Sequence, residues 1–170
     1  RAKRHENELS ILFFDLDDFK RINDMFGHLA GDMVLKDVSR IIKSEIRVED
    51  SAARYGGEEI VVVLPNTSKL DALLIGERIR KRIAGLFLEY DTEKIKTTIS
   101  GGLASFPIDA DNVSDLLKYA DNAMYQAKLL GKNNISIYSR NKRRYLRIDF
   151  FETIHLKQVG FENHVVELFA

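Results

Sequence analysis

Residues 51–64 read SAARYGGEEIVVVL, two short segments separated by Gly56-Gly57, the second carrying an apolar run from Ile60 to Leu64. Glycine lacks a Cβ and tolerates the positive φ angles of a tight reversal, so the dipeptide marks the turn of a β-hairpin. The five apolar residues that follow have the length of a buried strand. Glu58 and Glu59 therefore stand where a turn feeds a strand into the core.

Upstream of the hairpin, Leu9 to Asp15 (LSILFFD) is a compact apolar run closed by carboxylates, the pattern of a central strand buried on both faces. Helical spacing follows at Phe19, Ile22, Met25 and Phe26, with Gly27 as the stop. A second helix is predicted from about Gly31 to Ile46, with Val34, Leu35, Val38, Ile41, Ile42 and Ile46 on one stripe. Beyond the hairpin, Ser68 to about Phe87 predicts a helix with Leu70, Leu73, Leu74, Ile79 and Ile83 facing inward. Lys94 to Ala104 reads as a strand broken at Gly101-Gly102. A last helix from about Val113 to Leu130 has Ser114 as N-cap, apolar Leu116, Leu117, Ala120, Met124 and Ala127, and Gly131 as stop, before a strand at Ile135 to Tyr138. The order β, α, α, β, β, α, β, α, β implies an α+β fold, a central mixed β-sheet flanked by helices.

The totals narrow the function classes. In 170 residues, 45% hydrophobic with ten Phe and six Tyr, there is material for one substantial core. Lys+Arg and Asp+Glu balance at 26 each, so no global field would hold the chain on nucleic acid or an anionic membrane, and phosphate binding must come from local placement. The absence of cysteine excludes a disulfide scaffold or a Cys-ligated zinc and is compatible with a cytoplasmic setting. No apolar run approaches the roughly 20 residues of a membrane helix. The leading RAKRHENE is not a signal peptide. The domain is expected over residues 1–139, followed by a basic linker and the start of a further β segment over 140–170.

Asp15, Asp17 and Asp18 follow the first strand, and Glu58 and Glu59 follow the turn. If that strand and the hairpin are neighbours, these groups can meet and offer the hard oxygens that Mg²⁺ takes. Taken singly, the acids also suit solvated loop ends or helix N-termini, and the glycine pair suits an ordinary hairpin.

Three segments in order resemble the GGDEF family across about residues 5–138. DLDDFKRINDMFGHLAGD (Asp15–Asp32) is similar to the family's D-x-D-x-F-K-x-x-N-D-x-x-G-H-x-x-G-D run, RYGGEEI to its RYGGDEF or RYGGEEF turn, and NAMYQAKLLGKN (Asn122–Asn133) to its A-x-Y-x-A-K-x-x-G-R-N element. The resemblance implies a palm-like α+β domain and a diguanylate cyclase, which condenses two GTP into cyclic di-GMP with release of pyrophosphate. It implies Asp15, Glu58 and the Leu16 carbonyl as ligands for Mg²⁺ or Mn²⁺, and Glu59 as a second metal-site acid or the base for the 3′-hydroxyl. Gly56 and Gly57 would admit phosphates close to the backbone, and Lys20, Lys128 and Lys132 would offset their charge. Asn23 and Asp32 would read guanine, and His28 is a turn residue. Because each domain of the family holds one GTP, catalysis implies a homodimer.

Arg47 and Asp50 form R-x-x-D in the register of the family's product-inhibition site, where an arginine fork and a carboxylate can hold guanine and phosphate. Three departures stand out. Ile60 replaces the usual Phe, Lys132 replaces the usual Arg and so offers a point charge in place of a fork, and the chain starts after the family's usual D-x-L-T-G-L-x-N-R opening. In the tail, Arg143-x-x-x-Arg147 and the strand-like alternation after it resemble the opening of a PilZ domain, a cyclic di-GMP receptor. A catalytically silent GGDEF domain that binds nucleotide without turnover is the alternative to an active cyclase.

Overall fold

The computed structural model describes residues 8–139 in full and the backbone of 146–150, 154–158 and 166–167. The elements are β1 (Leu9–Leu16), α1 (Phe19–Phe26), α2 (His28–Glu45), β2 (Ser51–Arg54), β3 (Glu59–Pro65), α3 (Lys69–Ala84), β4 (Leu88–Tyr90), β5 (Glu93–Ile95), β6 (Ile99–Phe106), α4 (Val113–Leu129) and β7 (Ile135–Ile137), then β8 (Leu146–Phe150), β9 (Ile154–Gln158) and β10 (Val166–Glu167). One sheet has the order β10-β9-β8-β7-β6-β1-β3-β2, and β4-β5 forms a separate hairpin. β1 is antiparallel to both β3 and β6, while β6 and β7 are parallel, so the sheet is mixed as expected.

β1 is central, which explains its apolar run from Ile11 to Phe14. Successive side chains point to opposite faces. Leu12, Phe14 and Leu16 enter a core shared with α1, α2 and α3 residues such as Phe19, Val34 and Ile79. Ile11 and Phe13 enter a second core with Leu116, Ala120 and Met124 of α4. Each such large apolar side chain contributes about 1.5–3 kcal/mol when fully buried, so both faces of β1 are anchored and its end is held in place.

Several local expectations are corrected. β6 runs unbroken through Gly101-Gly102, and the interruption falls at residues 96–98. The glycines serve close approach: a Cβ on Gly102 would lie 2.0 Å from the Ala120 carbonyl oxygen and 2.1 Å from the Met124 nitrogen, so α4 backbone packs directly on the strand. Lys94 belongs to the β4-β5 hairpin rather than to β6. Asn112, not Ser114, caps α4, its Oδ1 accepting from the Asp115 N–H at 2.9 Å. α2 begins at His28, since Gly27 alone makes the turn at φ 85°. On α3, Leu73, Ile79 and Ile83 are buried, but Leu70 and Leu74 are exposed because the inward stripe passes through Ala72 and Ile75.

In the tail, β8 pairs antiparallel with β7, placing Arg147 opposite Ser136 in the ladder. Arg143 lies outside the described residues, as does the side chain of Arg147. Among the described residues no helix is long and apolar enough to cross a membrane.

Candidate active site

The antiparallel ladder of β1 and β3 sets Asp15 opposite Glu59, and on its other side β6 sets Ser100 opposite Asp15. The Leu16 N–H donates to the Glu58 carbonyl at 3.3 Å, tying the turn to the end of β1. Within the turn, the Tyr55 N–H donates to the Glu59 carbonyl at 2.9 Å, and the Arg54 guanidinium donates to the Gly57 carbonyl at 2.6 and 2.9 Å and to that of Gly56 at 3.2 Å. The Tyr55 ring meets Phe13 edge-on with centroids 5.2 Å apart. Contrary to expectation, neither Gly56 nor Gly57 has a left-handed φ. Gly56 instead makes room for Glu59, whose Oε2 lies 2.3 Å from where a Cβ would stand, while a Cβ on Gly57 would meet nothing within 4 Å.

The carboxylates at this strand end repel one another. Burial, first, and then the charge of Asp15 raise the Glu58 carboxyl above its usual value, with Lys128 opposing and Glu59 adding a little. Glu59 is raised by burial, Asp15 and Asp121, again against Lys128. Asp15 accepts from the Lys128 ammonium, yet its carboxyl is also raised. Burial there outweighs the lysine, and Asp17 and Asp121 add to the effect. Asp121 escaped the sequence reading. Its signal is the spacing of seven from Lys128, two turns along one face of α4.

Asp17 and Asp18 diverge. Asp17 is buried and accepts from Thr98 Oγ1 and Ser100 Oγ, both at 2.7 Å, and from the Asn133 N–H at 3.0 Å. It is neither a solvated loop end nor free for a ligand; it fastens β1, the start of β6 and the turn after α4. Asp18 is exposed and accepts from Lys132 Nζ at 2.6 Å, which lowers its carboxyl and raises the lysine.

Lys20 is exposed on α1. Asn23 is half-buried against Gly31, where a Cβ would come 1.9 Å from its Oδ1, so it lies beside the start of α2, which carries the exposed Asp32. Just past the C-terminal end of α2, the Arg47 N–H donates to Asp50 Oδ2 at 2.8 Å, and the Asp50 N–H donates to the Arg47 carbonyl at 3.2 Å. Arg47 is exposed, and Asp50 is buried with Oδ1 unpaired. Both line a cleft of about 470 Å³ with Ser39, Lys43, Arg54 and Ile60.

The donor chemistry fits a hard divalent cation. Among the described residues no three carboxylate or imidazole groups form a complete metal-ligand set. Mg²⁺ does not need one, since it is ordinarily held by one or two carboxylates and completed by water and substrate phosphates. The raised carboxyls of Asp15, Glu58 and Glu59 form a site whose charge a cation would relieve.

The family model described as diguanylate cyclase, GGDEF domain matches residues 1–134. Diguanylate cyclase A of Treponema denticola is 47% identical over 133 residues, spanning 78% of this chain and 36% of that protein. Response regulator PleD of Caulobacter vibrioides is 42% identical over 137 residues, spanning 79% and 30%. The chain thus covers about a third of the length of these curated relatives. Among solved structures, the active GGEEF domain of a diguanylate cyclase from Vibrio cholerae superposes with a TM-score of 0.73 at 36% identity over 81% of this chain and 87% of that one. The GGDEF domain of DgcB from Caulobacter crescentus in complex with c-di-GMP gives 0.72 at 29% identity over 77% and 78%. The expected PilZ resemblance of the tail gains no support, because the family match ends at residue 134 and the described tail strands continue the same sheet. Its three motifs, its mixed sheet and the acids gathered at the end of β1 have one common explanation: the chain belongs to the GGDEF domain family of diguanylate cyclases.

Proposed function

We propose that this domain condenses two GTP molecules into cyclic di-GMP, releasing pyrophosphate. The observation that carries the reading is the convergence of Asp15, Glu58 and Glu59 across one antiparallel ladder with Lys128 of α4 reaching into it. Asp15, Glu58 and the Leu16 carbonyl would hold Mg²⁺, or Mn²⁺ in its place, and the bound cation would neutralise triphosphate charge and acidify the ribose 3′-hydroxyl.

The chain's own groups do the rest. Lys128 exchanges Asp15 for phosphate, and Lys20 and Lys132 add charge that counts most as pyrophosphate departs. Glu59, whose raised carboxyl suits proton exchange nearer neutrality, accepts the proton of the attacking 3′-hydroxyl. The open space over Gly57 admits phosphate oxygens. Asn23 and Asp32 select guanine, because a carboxylate accepts from its ring N–H and exocyclic amine whereas adenine presents a ring lone pair. One GTP per domain requires two domains face to face, so the working unit is a homodimer.

Arg47 and Asp50 form the product-inhibition site in this reading. The buried, unpaired Asp50 Oδ1 at a cleft edge supports it, since an orphaned acceptor gains from a guanine donor. Incubation with GTP and Mg²⁺ followed by chromatography tests the activity. Cyclic di-GMP is expected from the wild-type chain and not from Asp15→Ala; equal product from ATP would overturn the roles of Asn23 and Asp32.

A further inference from the structure

The turn that carries Lys132 is an unfavourable piece of backbone. Lys132 and Asn133 both have left-handed φ angles, 62° and 45°, directly after Gly131 at 109°. Side-chain-bearing residues adopt that region at a cost, so the turn keeps its shape only if its surroundings enforce it. From one side Asp17, fixed by Thr98 and Ser100, accepts the Asn133 N–H at 3.0 Å. From the other comes Arg80 of α3, whose Nη1 donates to the Asn133 carbonyl at 3.2 Å and to Asn133 Oδ1 at 2.9 Å.

Arg80 is itself held. Its Nε and Nη2 donate to the Glu77 carboxylate at 2.8–3.1 Å, and the pair is largely buried, with side-chain exposures of 15% and 9%. One planar guanidinium thus spends one edge on Glu77 and the other on Asn133, a geometry a lysine cannot reproduce. Its neighbours on α3 differ: Arg78 and Arg82 are more than half exposed and reach Glu45 at the end of α2.

We propose that Arg80, aligned by Glu77, is a positioning residue for nucleotide binding, clamping Asn133 so that the strained turn presents Lys132 to the triphosphate. The inference rests on the reading of Lys132 as a phosphate contact. Arg80 acts only through the turn.

The test is calorimetric binding of a non-hydrolysable GTP analogue with Mg²⁺ to the full chain and to Arg80→Ala, Arg80→Lys, Lys132→Ala and the Arg80→Ala/Lys132→Ala double variant. Arg80→Ala and Lys132→Ala should each weaken binding about tenfold, the scale of one charge-assisted hydrogen bond. The double variant should bind no worse than Lys132→Ala, and Arg80→Lys should not rescue. Losses that multiply in the double variant, or restoration by Arg80→Lys, would overturn the proposal while leaving the phosphate reading intact. Lys132→Ala binding like wild type would remove the phosphate reading, and the proposal with it. Should Arg80→Ala fail to fold, Asn133→Gly keeps the positive φ and removes the Oδ1 acceptor, leaving Arg80 only its 3.2 Å bond to the backbone carbonyl of the turn. It should weaken binding about threefold, and unchanged binding would overturn the proposal.

Discussion

The two ends of β1 hold polar groups of similar kind in opposite states. At the Leu9 end, Ser10 Oγ donates to the Thr67 carbonyl at 2.9 Å and shares a 2.7 Å hydrogen bond with Ser105 Oγ. Beside it, buried Asp109 accepts from Lys69 Nζ and from the Ser105 N–H, each at 2.8 Å, and Lys69 also donates to the Tyr138 carbonyl at 2.5 Å. Donors match acceptors and charge cancels. At the Asp15 end, three carboxyls are raised, each first by burial; Asp15 adds to the rise of Glu58 and Glu59, Asp17 and Asp121 add to that of Asp15, and Lys128 is paired to Asp15. The first end stabilises the fold; the second is left with charge that substrate and cation would complete.

The largest effect expected from breaking this contrast is on turnover. Asp15→Ala should lower cyclic di-GMP formation at least about 1,000-fold, read by chromatography, with no loss of melting temperature. At the other end, Asp109→Ala leaves Lys69 partly uncompensated and the Ser105 N–H unpaired. It should cost about 3 kcal/mol in denaturant unfolding while turnover per folded molecule stays within about twofold of wild type.

Smaller still, Asp32→Ala should weaken GTP binding about tenfold and leave ATP binding unchanged, measured by calorimetry. The smallest effect concerns pH. A carboxyl whose folded value is raised binds its proton more tightly in the folded chain, so stability falls as pH rises from the ordinary carboxylate range through the raised value and stays lowered above it. Glu58→Gln removes that penalty. Its melting temperature should exceed wild type by about 1 °C at pH 7, with the difference vanishing near pH 4 or below.

Periodicity made the layers legible, because helix and strand spacings in β1, α2 and β3 are set by which face meets a core. Where the sequence misled, a long-range contact decided. Gly101-Gly102 looks like a break, but α4 backbone presses on β6 there, a partner about twenty residues away. Asp17 looks like its neighbours Asp15 and Asp18, and only the arrival of Thr98, Ser100 and Asn133 turns it into a fastener. The β4-β5 hairpin was hidden because each strand has three residues, too few for an alternation to register. At the site, Asp15, Glu58 and Glu59 were legible through their motifs. Asp121 stands just ahead of the third motif, and Glu77 and Arg80 lie on α3, a helix that none of the three motifs touches.

In the proposed function the Asp15 end of β1 is catalytic and the Leu9 end structural. The most direct test measures turnover of GTP to cyclic di-GMP per folded molecule, together with melting temperature, for wild type, Glu58→Gln and Asp109→Ala. Glu58→Gln should lose activity with its melting temperature kept or raised, and Asp109→Ala should lose stability with its activity kept. Full turnover in Glu58→Gln, or loss of activity in both in proportion to lost stability, would contradict that reading.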